Sequence, residues 1–207
     1  TTQDFTFDLA NQYNLTLIPY YLNLDDENLK DLVEIEKSEF YKNIDSYKKL
    51  STGVPPVQDI LDEIDKLKTQ GINSALAIIS SREITGMGNA YESLKSLEKD
   101  FRLEIVDTGL VGSAAGMISI EASKYRAEGH DLDETIEYVK KLINKAKIFA
   151  VFRSLDYLVK GGRISPLRAA IGGFLNIYPI LTIKEKKVEI FEKTKGQSKS
   201  LTKLAQI

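Results

Sequence analysis

The chain has 207 residues, enough for one large domain or two modest ones, and its 43% hydrophobic and 28% charged content is that of an ordinary globular protein. A formal net charge of −2, with acidic and basic residues interspersed, gives no basic field for nucleic acid. The absence of cysteine excludes disulfides, thiolate metal sites and a cysteine nucleophile, and fits a reducing compartment.

No run approaches the roughly 20 apolar residues that span a bilayer, so no stable membrane insertion is expected. No signal peptide precedes the first turn signals. The chain opens without Met, so a missing N-terminal piece is expected, and the expected location is cytoplasmic.

In chain order, "NLTLIPYYL" (14–22) is rich in β-formers and reads as a strand. The dense carboxylates of "LDDEN" (24–28) and "DLDE" (131–134) read as helix-start caps or solvated faces, and no cluster has metal-ligand spacing. "LSTGVPP" (50–56) is a hydroxyl-bearing loop ahead of a helix over 57–71. In that helix Val57, Ile60, Leu61, Ile64 and Leu67 share one face, and Gly71 stands at the C-cap. "SALAIIS" (74–80) reads as a buried strand. "SSREITG" (80–86) is a turn, and a helix from about Asn89 to Lys99 follows with Leu94 and Leu97 inward.

"RLEIVDT" (102–108) is the next strand, and "SAAGMISIEASKYRAEG" (113–129) a helix of small residues. His130 lies in a loop with no partner nearby in sequence and reads as solvated. The helix over 131–146 opens on Asp131, with Glu134 completing a capping box. Strands alternating with amphipathic helices predict an α/β fold, a mostly parallel sheet with flanking helices, over residues 1–147.

From residue 148 the pattern changes. "KIFAVF" (147–152) reads as a strand, "SLDYLVKGGRISPLRAAIGGFLN" (154–176) as helix, glycine break, helix, and "PILTIKEKKVEIFEKT" (179–194) as an antiparallel hairpin. A final helix begins at 199. Residues 148–207 are therefore expected to be the start of a second α+β domain, cut before it is complete.

Nothing marks a nucleophile with a base beside it, and neither "GMGNA" nor "GGR" completes a dinucleotide or P-loop fingerprint. What remains is hydroxyls and glycines at strand ends, where open α/β sheets bind ligands. Ser80, Ser81, Thr85 and Gly86, with Thr52 from the neighbouring loop, could cradle a small anionic head group, since hydroxyls donate to a carboxylate or phosphate and helix-start amides attract anions. On the alternative reading, these residues only cap and turn the chain.

Several of these patches resemble the DegV family of bacterial fatty-acid-binding proteins. "DFTFDL" (4–9) is similar to its opening D-S-T-x-D-L, "TGVPP" (52–56) to its T-S-x-P segment and "SSREITG" to its S-S-x-L-S-G turn. "VDTGLVGSAAG" (106–116) is similar to the V-I-D-S strand and the small-residue helix after it. The most specific match is "LDYLVKGGRIS" (155–165) followed by "GGFLNIYPIL" (172–181).

The resemblance implies two domains holding a long-chain fatty acid in a buried interdomain tunnel, with the carboxylate bonded by a Thr and a Ser that map to Thr52 and Thr85. One extra residue between the serine pair and "ITG" makes Ser81 the alternative to Thr85. Arg163 matches the arginine of the family's GGR, expected near the head group or at a kinase-docking surface. The implied partner is a dihydroxyacetone-kinase-like subunit that phosphorylates the bound acid. The carrier itself has no catalytic residue, metal or cofactor beyond the fatty acid.

This sequence departs from the pattern at Phe5, Gly53, Thr85 and Thr108, each in place of Ser, and lacks the family's C-terminal His-Thr-Gly-Pro-Gly segment. Burying an acyl tail of about sixteen carbons yields on the order of 12 kcal/mol at roughly 0.8 kcal/mol per CH₂. Association costs about 4–15 kcal/mol, so the tail must be almost fully enclosed. The small residues of "AAGMISI" (114–120) and "AAIGGFL" (169–175) either leave room for such a channel or pack helix on sheet. The rival class is an enzyme acting on a small carboxylated or phosphorylated substrate at the same strand ends, with Asp4 or Asp107 as base.

Overall fold

The computed structural model describes residues 2–97, 100–152, 154–163 and 177–207, the side chains of 95–97 excepted. The chain forms two compact units, Thr1–Ala146 and Lys147–Ile207.

The first unit opens with α1 (Phe7–Gln12), capped where Thr6 Oγ1 accepts from Leu9 N at 3.2 Å. A three-stranded antiparallel sheet follows in the order β2 (Glu27–Lys30), β1 (Tyr21–Leu24), β3 (Leu50–Gly53), with β1 central. The strand expected over 14–22 is therefore displaced, with only Tyr21 and Leu22 inside it. Pro19, which has no N–H to give a ladder, precedes the start of pairing.

Asp25 and Asp26 form the two-residue turn between β1 and β2, with Asp25 at φ 53°, so "LDDEN" is a hairpin and not a helix start. Asp25 Oδ1 also accepts from the backbone N–H groups of Lys48 and Lys49, each at 2.9 Å, tying the hairpin to the chain entering β3.

α2 (Lys37–Asn43) lies between the hairpin and β3, and α3 (Val57–Thr69) leads into β4 (Ser74–Ile79). β4 pairs in parallel with β5 (Arg102–Asp107), from Ser74 opposite Arg102 to Ile79 opposite Asp107. Between them run α4 (Arg82–Thr85) and α5 (Met87–Leu97); α6 (Gly112–Ala127) and α7 (Leu132–Ile143) follow. The α/β class holds. Among the described strands only β4 and β5 pair in parallel; the two-residue link between β1 and β2 permits only an antiparallel return, and β3 is also antiparallel to β1.

Ile60 and Ile64 of α3, Tyr91 and Leu94 of α5, and Ile79, Phe101 and Leu103 around β4 and β5 form one apolar core with Tyr20. Leu94 is wholly buried, a contribution of roughly 1.5–3 kcal/mol relative to exposure. α7 begins as its sequence predicts: Asp131 accepts from Glu134 N at 2.9 Å while Glu134 Oε2 accepts from Asp131 N at 2.9 Å. His130 stacks on Tyr125 with ring centres 3.7 Å apart and meets Glu134 at 3.3 Å.

The second unit contains β6 (Phe149–Val151), α8 (Asp156–Lys160), the hairpin β7 (Ile177–Lys184) and β8 (Lys187–Lys195), and α9 (Gln197–Leu204). Its antiparallel sheet runs β6-β7-β8. The charged turn Glu185–Lys186 has both residues at positive φ, 49° and 64°, the geometry that matches strand twist in a two-residue hairpin. Ser200 Oγ and Thr194 Oγ1 both donate to Tyr178 O, at 2.8 and 2.7 Å, fixing α9 on the sheet. The second of the two helices expected within 154–176, the small-residue run 169–175 and the side chain of Leu97 lie outside the described residues.

Candidate functional site

The loop expected over 50–56 is a strand in its first half: Thr52 lies in β3 opposite Leu22, and only Val54–Pro56 link β3 to α3. β4 and β5 each end in a polar turn of the first unit. At the end of β4, Ser81 is wholly buried, and its N–H donates to Leu110 O at 2.7 Å. Its carbonyl accepts from the N–H groups of Ile84 and Thr85 at 3.1 and 2.9 Å and from Thr85 Oγ1 at 3.0 Å. α4 is thus a single turn folded on the Ser81 carbonyl. It ends at Gly86, whose φ of 73° suits a residue without a β-carbon.

At the end of β5, Asp107 Oδ1 accepts from Gly109 N at 2.9 Å and Arg82 N at 3.3 Å. Thr108, 2% exposed, donates from Oγ1 to Ile79 O at 2.9 Å. These bonds make the β5 terminus the anchor of the Ser81–Gly86 turn. Asp4, the other carboxylate named as a base, is exposed at φ 60°.

The β3 loop reaches the same place. A β-carbon built on Gly86 would lie 3.7 Å from Val54 Cγ1, an ordinary packing contact, so the "TGVPP" loop and the "REITG" turn adjoin. Thr52 is exposed, and among the described residues its hydroxyl makes no hydrogen bond. Thr85 is partly buried, with its one hydroxyl proton engaged by Ser81 O. To donate to a ligand, Thr85 must therefore turn that proton outward, whereas Thr52 can donate as it stands. Ser80 is turned elsewhere, its Oγ 2.8 Å from Thr2 Oγ1. Arg163 lies in the second unit, exposed, and its guanidinium donates to Gly161 O.

A cavity of about 170 Å³ is lined by Ser80 and Met87, which flank the turn in sequence; of the expected head-group residues only Ser80 lines it, and Thr52, Ser81, Thr85 and Gly86 do not. Its walls are two extended runs, Leu15–Ile18 and Ala75–Ser80, with Ile60, Ile64, Tyr91 and Leu103 between them. Burial pushes the Tyr91 phenol far above its usual value, with the neighbouring Tyr20 adding to the effect. The polar end carries Thr2, Gln3 and Ser119. There Gln3 Nε2 donates to Ile78 O at 2.7 Å, and Ser119 Oγ donates to Gln3 Oε1 at 2.7 Å.

Sequence reasoning missed Gln3, since nothing in the pattern distinguishes it from a surface amide. It also missed the Arg82 brace, in which Arg82 Nη2 meets Glu92 Oε1 at 2.9 Å across α5. The signal for that brace is Gly88: a β-carbon there would come within 2.4 Å of Arg82 Nε. Phe5, in place of the expected serine, is 3% exposed and packs against Gly116. Among the described residues no cluster of His, Cys or acidic side chains could hold a metal, and no helix is long and apolar enough to cross a membrane.

The model of the DegV family, described as uncharacterised protein, matches residues 1–207. A DegV domain-containing protein of Caldanaerobacter subterraneus subsp. tengcongensis is 31% identical over 199 residues, covering 96% of this chain and 70% of the relative. A Thermotoga maritima structure described as revealing fatty acid binding function superposes with a TM-score of 0.83 at 27% identity, over 99% of this chain and 72% of that one. The Streptococcus pneumoniae fatty acid kinase B3 protein, loaded with linoleic acid, shares the fold with a TM-score of 0.80 at 19% identity, over 91% of this chain and 68% of that one.

Proposed function

The chain belongs to the DegV family, and from that premise we propose that it is a cytoplasmic carrier of long-chain fatty acids. The carboxylate is held at Thr52, near the end of β3, and the Ser81–Gly86 turn. The observation that carries this reading is the packing of Val54 against Gly86, which puts the two hydroxyl-bearing segments side by side. Thr52 donates directly, and Thr85 donates after exchanging its bond to Ser81 O. Ser81, wholly buried and already folded into α4, shapes the turn and is the lesser candidate for direct contact.

Bonds from neutral hydroxyls to a carboxylate are charge-assisted, and each contributes about 1.5–3 kcal/mol. They orient the acid, while burial of the tail supplies most of the affinity. Arg163 serves the head group or the surface that a kinase subunit meets. The carrier performs no chemistry itself; a dihydroxyacetone-kinase-like partner phosphorylates the presented carboxylate. The engagement of Asp107 with two backbone N–H groups supports this over the enzyme reading, since it gives that carboxylate an anchoring role.

The test is native mass spectrometry of protein purified from bacterial cells. A co-purified fatty acid, exchangeable with added palmitate or oleate, is the expected result. Bare protein that takes up neither acid would overturn the proposal. Turnover of small carboxylated or phosphorylated substrates by the ligand-free protein, with no kinase present, would support the rival enzyme.

A further inference from the structure

We infer that Asp59 is a positioning residue for Thr52, holding the β3 loop in place by clasping β1 and β2 to the first turn of α3. The inference rests on the head-group reading above. Asp59 stands in the first turn of α3, and its Oδ2 takes partners from two different strands. Tyr21 OH donates to it at 2.9 Å, and Lys30 Nζ lies 3.0 Å from it. Tyr21 and Lys30 are directly opposed across the β1–β2 ladder, and Lys30 Nζ sits 5.5 Å from the centre of the Tyr21 ring.

On the other side of β1, Tyr21 is opposed to Gly53, the residue after Thr52. A β-carbon on Gly53 would lie 3.8 Å from Tyr21 Cβ. The segment Gly53–Asp59 is therefore closed into a ring: the ladder holds one end, Asp59 bonds the other to the same Tyr21, and Pro55 is wholly buried within it.

Asp59 is not explained by its helix alone. An acidic residue in a first turn is ordinarily there for the helix dipole, and that role needs no partner on a strand. Pro56 occupies the N-cap and gives no side-chain capping bond. The Asp59 contacts add to the packing of Ile60 and Ile64 with Tyr20 in joining α3 to the sheet. The Lys30 and Asp59 side chains are 30% and 23% exposed, so the pair is partly sheltered from solvent.

A double-mutant cycle tests this with palmitate as the probe. Asp59→Asn is expected to weaken palmitate binding about fivefold in the otherwise natural chain and to change it little when Thr52 is already alanine, because coupled residues are non-additive. Tyr21→Phe, which removes only the phenolic bond, is expected to show the same background dependence at about threefold. Amide hydrogen exchange should quicken at Thr52 and Gly53 in Asp59→Asn and stay unchanged across β4. Equal losses in both backgrounds, or no loss in either, would overturn the positioning role. If Thr52→Ala alone leaves palmitate binding intact, the head-group reading fails instead. The exchange at Thr52 and Gly53 then decides the clasp by itself: faster exchange supports it, and unchanged exchange overturns it.

Discussion

A methyl carbon placed on Gly86 would meet Val54 Cγ1 at 3.7 Å. That contact joins the loop leaving β3 to the turn leaving β4, and it brings the Thr52 and Thr85 segments to one edge of the first unit. The same two segments differ in readiness, because Thr85 Oγ1 commits its proton to Ser81 O at 3.0 Å and Thr52 does not.

Thr52→Ala should therefore weaken palmitate binding more than Thr85→Ala. Loss of one unencumbered bond to a carboxylate corresponds to about 1.5–3 kcal/mol, or roughly ten- to a hundredfold in affinity. Thr85→Ala removes a bond that is gained only by breaking another, so its cost should fall near 1 kcal/mol or below. Isothermal titration of the two variants, stripped of bound lipid, checks the order. A larger loss at Thr85 would mean that its hydroxyl is already turned to the ligand.

Gly86→Ala should destabilise the protein without a clash. The contact with Val54 would be ordinary, so the penalty is the left-handed backbone at φ 73°, about 1–2 kcal/mol for a residue with a β-carbon. Asn tolerates that region better, and Gly86→Asn should recover part of the loss. Thermal unfolding of the natural chain and the two variants measures it. Equal midpoints for all three would show that the turn relaxes at no cost.

The helices are the most legible part of the sequence. The apolar face of α3 through Ile60 and Ile64 is buried as its spacing predicts, and Asp131 and Glu134 form their capping box. The antiparallel sheet around β1 is not legible, because Asp25–Asp26 has the composition of a helix start as well as of a turn. Which one forms depends on Asp25 receiving the backbone of Lys48 and Lys49 from a distant part of the chain. The hydroxyls of the candidate site follow from their position at strand ends, and the packing of Val54 on Gly86 shows that two of those ends adjoin. Local sequence could not reveal that Ser81 is sealed inside the turn while Thr52 is open, since burial depends on what other elements cover.

Gly116→Ala should be far more damaging than Gly88→Ala, although helix propensity favours alanine over glycine by about 1 kcal/mol at both. A β-carbon at Gly116 would come within 2.3 Å of the Gln3 carbonyl oxygen, which is backbone and can move only with the N-terminal segment. That segment is held by Gly112 N, which donates to Thr2 O at 2.8 Å, and by the Gln3 bonds to Ile78 and Ser119. At Gly88 the conflict is with the Arg82 side chain, which can swing aside at the loss of an exposed pair with Glu92 worth about 1 kcal/mol at most. Urea unfolding should give a loss of about 2 kcal/mol or more for Gly116→Ala and within about 1 kcal/mol of no change for Gly88→Ala. Comparable losses would mean that the N-terminal segment yields as easily as a side chain.

The Asp59 clasp should give stability a defined pH window. Partial burial raises the Asp59 carboxyl, but the bonds from Lys30 and Tyr21 and the Lys30 charge outweigh it and leave it below the usual carboxylate value. A depressed carboxyl contributes fully above its unfolded value near 3.9 and loses that contribution as pH falls through its lower folded value. Lys30 is raised, chiefly by its hydrogen bond to Asp59, so its share is complete below about 10.4 and fades as pH climbs through the folded value. Tyr21 is raised by burial and then by its bond to Asp59, which keeps the phenol a donor over the same range. The pair is partly exposed, so Asp59→Asn should cost only about 1 kcal/mol between roughly pH 5 and 9. The difference from the natural chain should shrink toward zero as pH is lowered through the depressed folded value, where the natural carboxyl also becomes neutral. Urea midpoints taken side by side across that range measure the gap. A gap that stays constant down to the lowest pH at which both chains fold would show that the Asp59 charge adds nothing to the clasp.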